Sequence, residues 1–334
     1  MTFSSFLSSA VSAGASDLHL VGDERPMMRI QGVLSPMAEE VLLPKDVTAM
    51  IEGLLLPAQL ATFAEQKDVD LGYAEEGIRV RINVHSQNGK PGISARLIPS
   101  VIPSMDDLRL EPALREAVNL SNGLVLVVGP TGHGKSTTIA SLVEEINKTR
   151  KAHIVTIEDP IEFVFEDKQS LVEQREIGED TPSFASALKH VLRQDPDVIV
   201  VGEMRDPETI ATVLTAAETG HVVFSTLHTS SAGEAIERIV DVFEGAKQKQ
   251  VLIQLSAVLR IVVAQELVAT QNNTRVAARE ILINTPAVAN LIRENSISQI
   301  PSVLQTNVKE GMVSMKRAKE MLQKDGLIAP EVET

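Results

Sequence analysis

The segment GPTGHGKS at 129–136 constrains this chain more than any other feature. It satisfies G-x-x-x-x-G-K-[ST]. It stands between an apolar run, LVLVV at 124–128, and a stretch with helical periodicity, TTIASLVEEINKTR at 137–150. At average residue frequencies such a pattern arises by chance in about one chain in a hundred of this length, and the strand–loop–helix setting narrows it further. Glycines let backbone N–H groups curl around phosphate oxygens, and the positive end of the following helix faces the same anion. The chemistry is that of a nucleoside polyphosphate site. Lys135 is expected to reach the β- and γ-phosphates and the Ser136 hydroxyl to bind Mg²⁺. The residues expected to wrap the phosphates and their Mg²⁺ are Gly129, Pro130, Thr131, Gly132, His133, Gly134, Lys135, Ser136 and Thr137. The His133 side chain is expected to face solvent at a variable position.

A phosphate loop needs an acid at the end of a neighbouring strand. DVIVVGE at 197–203 places Glu203 at the C-terminal edge of an apolar strand, where ligands of open α/β sheets bind. Ser136 and Glu203 are thus the candidate metal contacts, and Asp197, at the other end, reads as a turn residue. HIVTIEDP at 153–160 ends in Glu158 and Asp159. Adjacent carboxylates are costly unless a cation or donors compensate. Glu158 competes with Glu203 for the role of orienting or deprotonating the attacking water. His221 and His228 bracket the strand HVVFSTL at 221–227, too far apart at ~3.3 Å per residue to share one metal. His228, followed by Thr229 and Ser230, reads as a γ-phosphate sensor. His221 reads either as part of the same machinery or as a histidine bonded locally at the strand start. Charge on a transferring phosphoryl group needs a cation, which an arginine supplied in trans provides. Arg79, Arg81 and Arg96 lie on alternating strands near the N-terminus, and Arg193 and Arg205 flank DVIVVGE. Each is a candidate against the alternative of a solvated surface arginine.

The 334-residue length suggests two domains. Residues 1–98 read as a small α+β domain. It has a helix with Phe3, Phe6, Leu7, Ala10 and Val11 at helical spacing and β-like stretches at 17–20, 27–34, 68–73, 78–85 and 92–98. PSVIPSMDDLRLEP at 99–112 is the expected linker, with its three prolines. Beyond it, strands at 124–129, 153–159, 197–203 and 221–227 alternate with helices at 137–150, 183–196 and 207–220. That alternation implies a parallel, doubly wound sheet over 113–283. Residues 284–334 read as helical. A net charge of −14 and few aromatic residues argue against nucleic acid as partner. No apolar run reaches the ~20 residues of a membrane-spanning helix, and the N-terminus lacks the basic region of a signal peptide. The chain has no cysteine, which excludes thiolate metal sites and disulfides.

Five segments together resemble the type IV pilus and type II/IV secretion ATPases, most closely the pilus retraction ATPases of the PilT group. They are ASDLHL (15–20), GPTGHGKSTTIA (129–140), TIEDPIEF (156–163), LRQDPDVIVVGEMRDPET (192–209) and TGHVVFSTLHT (219–229). The resemblance spans nearly the whole chain. It implies a PAS-like N-terminal α+β domain joined to a RecA-like P-loop ATPase domain with a helical C-terminal appendage. It also implies a homohexameric ring that hydrolyses ATP to power pilus retraction and twitching motility. On this basis Lys135 and Ser136 take the Walker A roles, Glu203 the Walker B role and Glu158 the "Asp box" role. His221 and His228 take the "His box" role, and Arg79, Arg81, Arg96 and, less closely, Arg193 that of sensing or finger arginines. The implied partner is an inner-membrane pilus platform protein, with pilin reached only indirectly. The implied location is cytoplasmic, peripheral at the inner-membrane base of a pilus machine, without membrane insertion. An assembly or secretion motor, or a non-hydrolysing accessory ring subunit, are the alternatives. The missing cysteines set the chain apart from assembly-type relatives that carry a four-cysteine zinc motif. AVANLIRE (287–294) resembles the AIRNLIRE signature of retraction ATPases, with Ala289 where the family has arginine.

Overall fold

The computed structural model describes residues 2–30, 32–75, 78–98, 101–271 and 274–329. Pro99 and Ser100 of the expected linker, and 330–334 of the expected C-terminal region, lie outside the described residues. The chain divides into two compact units, Met1–Val101 and Ile102–Thr334.

The first unit opens with α1 (Phe3–Ser12), capped by Thr2 and Ser5 in a capping box. Next come β1 (Asp17–Val21), β2 (Met27–Ile30), β3 (Val33–Pro36), α2 (Pro44–Leu54) and α3 (Pro57–Gln66). β4 (Asp68–Glu75), β5 (Ile78–Gln87) and β6 (Lys90–Ile98) complete it. The strands form one antiparallel sheet in the order β3-β2-β1-β6-β5-β4. The run read as one strand over 27–34 is a hairpin, with Gly32 at φ +85°. Strand alternation sends Leu18, Leu20, Val80, Ile82, Val84 and Ile93 into a core shared with Phe3, Phe6 and Leu7 of α1. The amphipathic N-terminal helix is therefore docked on its own unit. The opposite face of the sheet carries His19, Arg79, Arg81 and Arg96.

The second unit begins with the expected linker. Residues 102–112 pack into it: Leu110 is buried, and Arg115 donates to the carbonyls of Met105 and Leu110. Its elements are α4 (Pro112–Arg115), β7 (Gly123–Val128), α5 (Lys135–Thr149), β8 (His153–Glu158), β9 (Leu171–Glu176) and α6 (Phe184–Val191). β10 (Val198–Val201), α7 (Pro207–Glu218), β11 (Val222–Leu227), α8 (Ala232–Asp241), α9 (Ala246–Val258), β12 (Leu259–Ala269) and β13 (Arg275–Ile283) follow. The chain closes with α10 (Pro286–Arg293), α11 (Ile300–Thr306) and α12 (Met315–Lys324). The sheet runs β13-β12-β7-β11-β10-β8-β9, parallel except for β13. Successive residues of β7 serve opposite faces. Leu124, Leu126 and Val128 join the core beneath α6–α10, whereas Val125 and Val127 join the core beneath α4 and α5. AVANLIRE forms α10, with Val288 and Ile292 buried and Ala289 half-buried. Among the described residues no helix is long and apolar enough to cross a membrane.

Candidate functional site

The C-terminal ends of β7, β8, β10 and β11 lie along one edge of the parallel sheet, and the chemistry-bearing side chains collect there. The loop after β7 turns on Gly129, Gly132 and Gly134, at φ +149°, +80° and +77°. Gly134 is the N-cap of α5 and supplies no side-chain cap, so the first amides of that helix face the loop without a local acceptor. A Cβ on Gly129 would lie 2.3 Å from the carbonyl oxygen of Gln265 on β12. Gly129→Ala is therefore expected to destabilise the second unit by ~1–3 kcal/mol, lowering its melting temperature by roughly 3–10 °C in calorimetry.

Lys135 is buried. Its Nζ donates to the carbonyls of Gly129 (2.8 Å) and Pro130 (3.0 Å) and lies 3.4 Å from His228 Nδ1. Removal from water holds its pKa below the usual lysine value. Thr131 Oγ1 also lies 3.4 Å from His228 Nδ1. The other ring nitrogen, Nε2, is 3.3 Å from Glu203 Oε2, and Arg205 Nε is 2.6 Å from Glu203 Oε1. One imidazole thus links the phosphate loop to the acid after β10. Glu203, Arg205, His228 and Thr229 border a cavity of about 340 Å³.

Glu158 ends β8. Its carboxylate accepts from Thr156 Oγ1 (2.6 Å), Gln174 Nε2 on β9 (3.2 Å) and the amide of Glu162 (3.4 Å). Burial nevertheless dominates and raises its pKa. A carboxylate in that setting is a better proton acceptor than an exposed one. Among the described residues no group of three or more His, Cys, Asp or Glu is placed to cage a metal. Mg²⁺ in nucleotide sites takes few protein ligands and relies on phosphates and water, so such a cage is not what a nucleotide-bound Mg²⁺ requires.

Three expectations meet a different placement. His133 does not simply face solvent: its carbonyl accepts from Gln265 Nε2 (2.6 Å), and its Nδ1 accepts from the amide of Leu267 (3.1 Å). β12, the neighbour of β7 in the sheet, lies beside the loop and supplies both donors. His221 precedes β11 and so sits at the opposite end of that strand, its Nδ1 2.9 Å from the carbonyl of Ala216. Arg193 likewise precedes β10, and its Nη1 donates to the Lys189 carbonyl one turn back. Neither is brought to the loop, because both stand at N-terminal strand ends. Asp197 accepts from the amide of His153 (2.8 Å), in keeping with a turn role. Arg79 and Arg81 on β5 and Arg96 on β6 belong to the first unit. Arg81 faces Arg96 across the strand pair, and Arg96 Nε bonds Asp17 Oδ1 at 3.0 Å. Sequence reasoning missed Gln265, Thr138 and Arg279, which lie buried behind the loop.

A family description of type II/IV secretion system proteins matches residues 2–326. The twitching motility protein of Neisseria gonorrhoeae is 46% identical over 308 residues, spanning 92% of this chain and 82% of that protein. The type IV pilus retraction ATPase PilT of Pseudomonas aeruginosa is 44% identical over 332 residues, spanning 99% of this chain and 96% of its own. Among solved structures, the pilus retraction motor PilT with bound ADP superimposes with a TM-score of 0.93 at 42% identity. That match covers 99% of this chain and 95% of the other.

Proposed function

The chain belongs to the type II/IV secretion system protein family, and from that premise we propose that it is an ATPase motor driving type IV pilus retraction. The observation that carries the chemistry is the convergence of Lys135, His228 and Glu203 at one sheet edge. The amides of 131–137 and the N-terminus of α5 hold the nucleotide phosphates, and Lys135 turns from the loop carbonyls to the β- and γ-phosphates. Ser136 and Glu203 hold Mg²⁺, which neutralises charge on the phosphates when bound. Glu158, rather than Glu203, takes the proton of the water that attacks the γ-phosphorus, because Glu203 is engaged by Arg205 and His228. His228 senses the γ-phosphate through its link between loop and acid. Arg79, Arg81 and Arg96 serve a neighbouring copy in a homohexamer. His221 and Arg193, at the far strand ends, receive no role in this site. The ring works in the cytoplasm on an inner-membrane platform protein, touching pilin only indirectly, and binds no nucleic acid.

The test is cellular. Deleting the gene is expected to leave cells with pili that do not shorten and no twitching, restored by the wild-type chain. Cells left without pili would instead identify an assembly motor. Pili that still retract would sink the reading.

A further inference from the structure

We propose that Gln265 and Arg279, on the edge hairpin β12–β13, are positioning residues that aim a backbone amide of the phosphate loop at the nucleotide. The two face each other in register, and both are 2% exposed. Gln265 Oε1 accepts from Arg279 Nε (2.8 Å) and from Thr138 Oγ1 of α5 (2.8 Å). Its Nε2 donates to the His133 carbonyl (2.6 Å). An arginine nitrogen only donates, so it fixes which end of the amide is oxygen and turns the NH₂ towards the loop. Arg279 is itself held on its other arms, by Glu111 Oε2 (3.4 Å) and the Leu108 carbonyl (3.1 Å).

The consequence lies in the next peptide. The only cis bond among the described residues is Asp159–Pro160, so His133–Gly134 is trans. In a planar trans peptide the C=O and N–H point in opposite directions. Drawing the His133 carbonyl back onto β12 therefore directs the Gly134 amide away from β12, into the concavity of the loop. Gly134 is also the N-cap of α5, so this amide stands at the helix end that faces the phosphates. The close seat of Gly134 against Gln265 Nε2, which a Cβ would approach to 3.1 Å, keeps the pair in register. The path Leu108/Glu111–Arg279–Gln265–His133 thus runs from the first residues of the second unit to the loop.

This inference rests on the nucleotide-binding reading above. Gln265→Glu keeps size, the acceptor for Thr138 and a partner for Arg279, but puts an acceptor opposite the His133 carbonyl. In the full chain, ADP affinity measured by calorimetry is expected to fall roughly tenfold to a hundredfold, the size of one hydrogen bond to a charged group. Affinity for adenosine, measured by ligand-observed NMR, is expected not to change, because only the phosphates meet that amide. Arg279→Met, made together with Glu111→Gln so that no carboxylate is left unpaired, is expected to show the same selective loss to a smaller degree. Wild-type ADP affinity in both variants, or equal losses for ADP and adenosine, would overturn the proposal. Wild-type protein that bound no ADP would instead sink the nucleotide reading and this inference with it.

Discussion

Glu158→Gln is expected to lower ATP turnover by about 10²–10⁴-fold, the usual contribution of a positioned general base, while ADP affinity stays near wild type. The carboxylate sits among three donors, from Thr156, Gln174 and the Glu162 amide, which orient it without neutralising it. Glutamine keeps the shape and loses the ability to take a proton. The pH profile gives a second readout. Burial raises the Glu158 pKa, so the base becomes protonated, and turnover falls, at a higher pH than an ordinary glutamate would give. The acid limb of kcat should therefore lie above the usual carboxylate range in the wild type and vanish in Glu158→Gln. The folded state holds this proton more tightly than the unfolded state does. Stability is therefore lost as pH rises from the ordinary glutamate pKa through the raised one, and the loss persists at neutral pH. A variant that turns over at wild-type rates would move the base elsewhere, with Glu203 the next candidate.

The phosphate loop was legible because its residues are contiguous and their spacing is set by one ligand. Glu203 and Glu158 were legible for a related reason: each follows an apolar run, and strand direction then puts it at the ligand-binding edge. The same rule, applied strictly, separates His228, which follows β11, from His221, which precedes it. Resemblance kept the two together where strand polarity divides them. The strands at the two sides of the sheet were harder to read. β9 carries Glu173, Gln174 and Arg175 in mid-strand, and β12 and β13 bury Gln265 and Arg279. Buried polar residues break the apolar pattern by which strands are recognised. They are tolerated because they pair with groups distant in sequence, 127 residues apart for Gln265 and Thr138. No local signal encodes such a pairing, so the support behind the loop stayed hidden while the loop itself was plain. His133 is hidden in the same way: nothing in GPTGHGKS says that β12 will take up its carbonyl and its ring.

Lys135→Met separates binding from folding, and its effect on binding is expected to be the largest in the molecule. Methionine retains most of the stem that packs beneath the loop and removes only the ammonium group. Two consequences for stability oppose each other. The donors to the Gly129 and Pro130 carbonyls are lost, at roughly 1–3 kcal/mol where a buried acceptor goes unpaired. The cost of keeping a cation out of water is also lost. Its direction follows from the lowered pKa: the unfolded chain binds this proton more tightly than the folded one, so the burden is fully present below the lowered value and is relieved as pH rises from it towards the ordinary one. The melting temperature without nucleotide should therefore stay within a few degrees of wild type. Nucleotide changes the comparison. At a hundredfold excess over Kd, MgADP should stabilise the wild type by about 2.7 kcal/mol, a shift of roughly 5–10 °C for a unit of this size. Lys135→Met should show almost none of that shift, because the side chain supplies the one buried ammonium in the loop and charge-assisted bonds to phosphate are the strong ones. Differential scanning calorimetry of both proteins, with and without MgADP, reads all four values together. A preserved shift in the variant would mean that the loop amides alone hold the phosphates and that Lys135 serves the loop's own carbonyls.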